Sequence, residues 1–205
     1  RYIGVTGVQT CALPISPFVR AAVLTSLGLA ERRLGRIEAA HGFLADARSV
    51  LLRLGHARHA ATATHNLGLA ARDLGRIDEA REHFRQARGL FQHVGDATSA
   101  AIAEATLGNT ELAAGDPVAA ERRLRAALEV LQKAGARAAW AHATVWLARA
   151  LAQQKKGAET RALLDGLDDA AKGRFASEMQ QIVALLDSQR PPPSPPPAPE
   201  PTQRP

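Results

Sequence analysis

At 205 residues, with 46% hydrophobic but only 4% aromatic side chains, the chain can bury a sizeable core. Its wealth of Ala, Leu and Arg favours close-packed helices, its few Val and Ile disfavour a sheet, and its single cysteine excludes a disulfide framework. The net charge of +6 is interleaved with Glu and Asp along the whole chain, which argues against direct nucleic-acid binding, and no apolar run reaches the roughly 18 residues of a transmembrane helix.

The chain opens on Arg1–Ile15, RYIGVTGVQTCALPI. It has no initiator Met and no long apolar stretch, so it does not read as a signal peptide. Val5–Ile15 resembles a translated high-throughput sequencing adapter. On that reading residues 1–16 are non-native, Cys11 and Tyr2 are foreign, and the natural part contains no thiolate ligand.

From Pro17 onward the sequence repeats every 40 residues. Leu27-Gly28 returns as Leu67-Gly68 and Leu107-Gly108; Gly35, Ala40, Ala47 and Gly55 return at the same offset. Self-similarity at such a period marks a solenoid, in which each unit buries its apolar face only against its neighbours. The units are residues 17–56, 57–96, 97–136 and a degenerate 137–171, each expected to be an antiparallel helix pair, A then B. In the second unit, helix A over Ala57–Leu74 carries Ala60, Ala63, Leu67, Ala70 and Ala71 at helical spacing. Gly75 is its stop signal, and Ile77, Ala80, Phe84, Ala87, Leu90 and Phe91 mark helix B. Asp96 and Asp116-Pro117 read as N-caps. Gly68 and Ala80 fall where A and B should touch, with Leu67 and Phe84 filling the space on either side. In the fourth unit Lys155 stands where the others have the turn glycine. Trp140 and Trp146 read as packing residues between the third and fourth units.

Residues 172–188 are expected to cap the array, through a helix of about Arg174–Asp187 with Phe175, Met179, Ile182, Val183 and Leu186 on one face. The Pro-rich residues 189–205 cannot form helix or sheet.

Leu67-Gly68, Gly75, Ala80, Phe84 and Ala87, with their counterparts in the first and third units, resemble the tetratricopeptide repeat family. The units are longer than the usual 34 residues of that family, and 40-residue versions occur in bacterial signalling ATPases and transcription activators. Where the family places an aromatic, this chain has Glu31, Ala71 and Glu111. The resemblance implies an all-α, right-handed α-solenoid whose A helices line a concave groove. Transferred by position, that groove would be lined by Thr25, Leu29, Arg32 and Arg33; by Thr62, His65, Leu69, Arg72 and Asp73; by Ile102, Asn109 and Leu112; and by His142, Val145, Arg149 and Gln153. Arg32 and Arg72 occupy equivalent positions, and two aligned guanidiniums suit the carboxylates of an acidic peptide or partner helix. The C-terminal-carboxylate clamp of one family subgroup is not expected, because Leu29 and Leu69 stand at the equivalents of Asn109.

No phosphate loop, nucleophile elbow or zinc-protease motif occurs. His56, His59 and His65 lack an evident converging ligand, so neither metal nor cofactor is expected. The reading is a non-enzymatic, cytoplasmic protein-interaction scaffold; the alternative is a sensor or effector-binding arm of a larger signalling or transcriptional regulator.

Overall fold

The computed structural model describes residues 16–189. The adapter-like residues 1–15, Cys11 among them, and the Pro-rich residues 190–205 lie outside the described residues. Among the described residues there are helices and no strands. Four A–B pairs follow one another: α1 (Pro17–Arg33) with α2 (Ile37–Arg53), α3 (Ala57–Asp73) with α4 (Ile77–His93), α5 (Ala97–Ala113) with α6 (Pro117–Lys133), and α7 (Arg137–Gln153) with α8 (Gly157–Asp165). Two more helices close the array, α9 (Asp169–Arg174) and α10 (Ala176–Ser188). This is the all-α solenoid that the period implies.

Each of the first seven helices is 17 residues long, and a glycine in the left-handed conformation follows each of the first six. Gly75 takes φ +75°, a left-handed turn open to glycine without a steric cost. Asp96 and Asp116 accept hydrogen bonds from the backbone N–H of Ser99 and Ala119, each at 2.9 Å, satisfying donors that a helix start leaves orphaned. Lys155 keeps the same turn as the glycines, at φ +62°, so the tertiary packing overrides its side chain's aversion to that conformation.

Within each of the first three units the A and B helices touch at the repeated glycine. A Cβ on Gly68 would lie 2.8 Å from Phe84 Cε1, and one on Gly28 or Gly108 would meet the side chain of Leu44 or Leu124 equally closely. The sequence pattern places Leu67 and Phe84 on either side of one contact; the structure divides them. Leu67 packs with Leu44 of the preceding unit, while Phe84 packs with Leu107 of the following one. The large B-helix residue therefore does two things: it fills the space that the glycine leaves and it receives the leucine of the next unit. The same contact recurs at the next junction, where Leu124 packs with Leu147. Trp140 and Trp146 pack against the cluster between the third and fourth units, as their positions suggest.

The two ends of the array differ. At the C-terminal end, α8 stops after nine residues, and Asp168 then caps α9 through the Ala171 N–H at 2.8 Å. The last helix thus forms in two pieces around Phe175, and the sequence boundary at residues 171/172 falls inside α9. Ile182 and Leu186 of α10 are buried against α7 residues Val145, Ala148 and Ala152, whereas Val183 faces solvent. At the other end, α1 presents Val23 (52% exposed), Leu27 (41%) and Ala30 to solvent, although their counterparts Ala63, Leu67 and Ala70 are at most 2% exposed.

Two predictions follow from backbone geometry. Gly68 and Gly89 are both mid-helix, but nothing lies within 4 Å of a Cβ built on Gly89. Gly89→Ala should stabilise the array by about 0.5–1 kcal/mol through helix propensity, while Gly68→Ala should destabilise it by about 1–3 kcal/mol through overpacking against Phe84; paired urea melts decide it. Lys155→Gly should stabilise by about 1 kcal/mol by relieving the left-handed turn, read from the same melts.

Candidate functional site

Neighbouring A helices approach one another directly, α1 against α3 and α5 against α7, so they form the inner side of the stack, and the residues expected to line a groove lie on them. The structure sorts those residues into two groups and a remainder.

The first group sits between the first two units. Arg32 Nε donates to Asp73 Oδ2 at 2.6 Å, and Arg72 Nε lies 3.9 Å from the other oxygen of the same carboxylate. All three side chains are about three-quarters buried. Two guanidiniums thus share one carboxylate, which leaves the cluster with a surplus positive charge. His65 lies about two turns before Arg72 on α3, its ring 5.2 Å from that of Phe84 and its Nδ1 buried without a partner. Burial, reinforced by Arg72 and then Arg32, lowers its pKa from 6.5 to about 4. His65 is therefore neutral at pH 7, and the charge of this patch comes from the arginines.

The second group meets the cap. Asn109 of α5 and Val145, Trp146, Arg149 and Gln153 of α7 form one wall of a cavity of about 520 Å³; Glu178, Gln181, Ile182 and Leu185 of α10 form the other. Asn109, Val145, Arg149 and Gln153 are groove positions anticipated from sequence. The α10 wall is not, because a repeat pattern carries no information about where a non-repeating helix lies.

The remaining positions are used differently. His142 packs edge-on against Phe175 at 4.6 Å and bonds the Ala138 carbonyl through Nδ1 at 2.9 Å, so it helps to seat the cap. Thr25 and Thr62 donate back to the carbonyls of Ala21 and Arg58 in their own helices. Arg33 is exposed. His56 packs tilted and His59 edge-on against Phe18, at 4.6 and 5.0 Å between ring centres.

Sequence reasoning missed a seam of polar contacts between consecutive units. Arg76 pairs with Glu38 at 2.7 Å, His41 with Glu79 at 2.8 Å and Arg48 with Gln86 at 2.9 Å. Every pair is separated by 38 residues, two fewer than the period. Complementary side chains at that offset would have been the signal. Glu111, the residue at the family's aromatic position, is buried and receives Arg81 at 2.6 Å, with Arg123 at 3.6 Å. Among the described residues, no helix is long and apolar enough to cross a membrane.

The comparisons with known proteins agree with this geometry. Residues 59–133 match the family model described as tetratricopeptide repeat. No curated protein matches the chain. Among solved structures, nearly identical TPR-like repeats from Podosopora anserina superpose with a TM-score of 0.68 at 18% identity, over 85% of this chain and 89% of that one. BtubC (BKLC) from P. vanneervenii gives 0.66 at 18% identity, over 89% and 70%. A Rap protein complexed with Competence and Sporulation Factor gives 0.71 at 14% identity, over 84% of this chain but only 54% of that one. At these identities the likeness is one of fold.

The proton chemistry of His65 is testable. Its folded pKa lies below its unfolded one, so the unfolded chain takes up the proton first as the pH falls. The stability it protects should be complete above pH 6.5 and decline toward pH 4, by on the order of 3 kcal/mol. His65→Leu should flatten stability across that window, and the wild-type imidazole should still be neutral by NMR at pH 6.

Proposed function

We propose that this chain, which carries tetratricopeptide repeats, is a non-catalytic scaffold that holds an acidic peptide or partner helix along its A-helix groove. The family model over residues 59–133 supports protein interaction in general. The finer reading rests chiefly on one observation: the inner face offers a cavity walled by Asn109, Arg149 and Gln153 and by apolar Val145, Ile182 and Leu185. An apolar floor with a few convergent polar groups suits a side chain anchored by its apolar part and oriented by its polar end. The Arg32–Arg72–Asp73 cluster adds surplus positive charge on the same face two units away, so an extended ligand with carboxylates would be drawn along the groove.

A second reading, the effector-binding arm of a larger regulator, is favoured by one finding. The chain spans about half of the length of the Rap protein it resembles, which was crystallised with Competence and Sporulation Factor. In that case the groove is the same and its occupant is the effector.

The test is a library of acidic and neutral peptides against the intact chain, read by fluorescence anisotropy. Acidic members should bind. Arg72→Glu and Arg149→Glu should each weaken them by about 10- to 100-fold, the loss of a charge-assisted hydrogen bond, with unchanged helical circular dichroism. Equal binding of all peptides, or binding that ignores both substitutions, would place the interaction elsewhere.

A further inference from the structure

The B helices of the first two units bring three metal-ligating side chains together, outside the groove. Glu79 and His83 stand one turn apart on α4, and His41 reaches them from α2. Glu79 Oε1 lies 2.8 Å from His41 Nε2 and 3.5 Å from His83 Nε2; the three donor atoms all lie within 4.8 Å of one another. We infer that His41, Glu79 and His83 bind a divalent transition-metal cation, zinc foremost, and that the ion ties the first unit to the second.

The donor chemistry fits. Two imidazoles and a carboxylate are the ligand types that zinc takes at roughly 2.0–2.2 Å in a tetrahedral shell, which sets its donors roughly 3.3 Å apart. The His41–Glu79 contact is shorter than that and the His83–Glu79 separation is close to it, so side-chain rotation alone can bring the three into range. The side chains are 21% (His41), 37% (Glu79) and 13% (His83) exposed, enough for an ion to enter and keep a water as its fourth ligand. Burial holds the His83 pKa below its ordinary value against the pull of Glu79. Hydrogen bonds from His41 and His83 hold Glu79 low although burial pushes it up. Metal binding displaces the protons that the His41 and His83 Nε2 atoms share with Glu79.

The trio is also not a by-product of the repeat. The counterparts of His41 are Arg81, Glu121 and Arg161, and those of His83 are Phe43, Arg123 and Leu163; the carboxylate of Glu79 recurs only as Glu159, against Ala39 and Ala119. Nor does the fold employ the His83 ring otherwise: its Nδ1 is buried without a partner. Two cations oppose the ion. Arg48 lies close enough to His83 to lower its pKa. Arg76 lies 3.9 Å from Glu79, although Glu38 engages it more closely at 2.7 Å. Three protein ligands beside two arginines make a site weaker than a four-ligand structural zinc centre.

The experiment titrates the intact chain, carrying Cys11→Ser to remove the one thiol, with zinc chloride alone by calorimetry and with cobalt chloride by visible absorption. One ion per chain should bind, cobalt should show the intense bands of a four-coordinate site, and zinc in large excess over its Kd should raise the Tm. His41→Ala and Glu79→Gln, both on partly exposed side chains, should each weaken binding by at least about tenfold with unchanged circular dichroism. His56→Ala with His59→Ala should leave it intact. Absence of saturable binding overturns the site, leaving a hydrogen-bonded trio only. So does binding that survives both His41→Ala and Glu79→Gln, or binding that is lost with His56 and His59.

Discussion

The closeness of helices A and B at a single glycine in each of the first three units governs the rest of the molecule. Without a Cβ on Gly28, Gly68 or Gly108, the side chain of Leu44, Phe84 or Leu124 seats directly on the opposite helix. The three are fully buried and among the largest side chains to be so. A residue seated there presents its far side to the leucine of the next unit. One steric permission thus sets both the spacing within a unit and the stacking between units. Interiors packed to crystal-like density transmit such a constraint over several residues.

Between units the apolar contact is supplemented by charge. Arginines reach across the junctions to carboxylates of a neighbouring unit, as with Arg88 on Glu104 and Arg125 on Glu159. At the junction of the third and fourth units, burial pushes Glu121 up, yet hydrogen bonds from Lys156, Gln154 and Arg125 bring its pKa to about 2. Exposed pairs of this kind each add little to stability. Their effect is on register: a unit shifted by one helical turn would leave these charges without their partners.

The period, the caps and the buried alanines were all legible in the sequence because they answer to local rules that recur. Gly75 needs its turn and Asp116 its orphaned N–H whatever surrounds them. What was illegible depends on tertiary placement. Nothing in the spacing of Val183 distinguishes it from Ile182, yet only Ile182 faces α7. His41, Glu79 and His83 are drawn together by stacking at an offset of 38 rather than 40 residues, which a search at the repeat period passes over. The groove was half legible: Asn109 and Arg149 follow from the repeat, but the α10 wall that makes a cavity of them does not.

The dissimilar ends give the array a direction. At the C-terminal end Ile182, Leu186 and Phe175 occupy the surface on which another unit would stack, and adding one means prising the cap away first. At α1 the matching surface is already shaped, with Val23, Leu27 and Ala30 where every later unit receives a B helix. The molecule is in this sense a one-sided building block. Helix pairs bearing a leucine or phenylalanine at the position of Leu44 can be joined in register ahead of Pro17, lengthening the groove while leaving the capped cavity untouched.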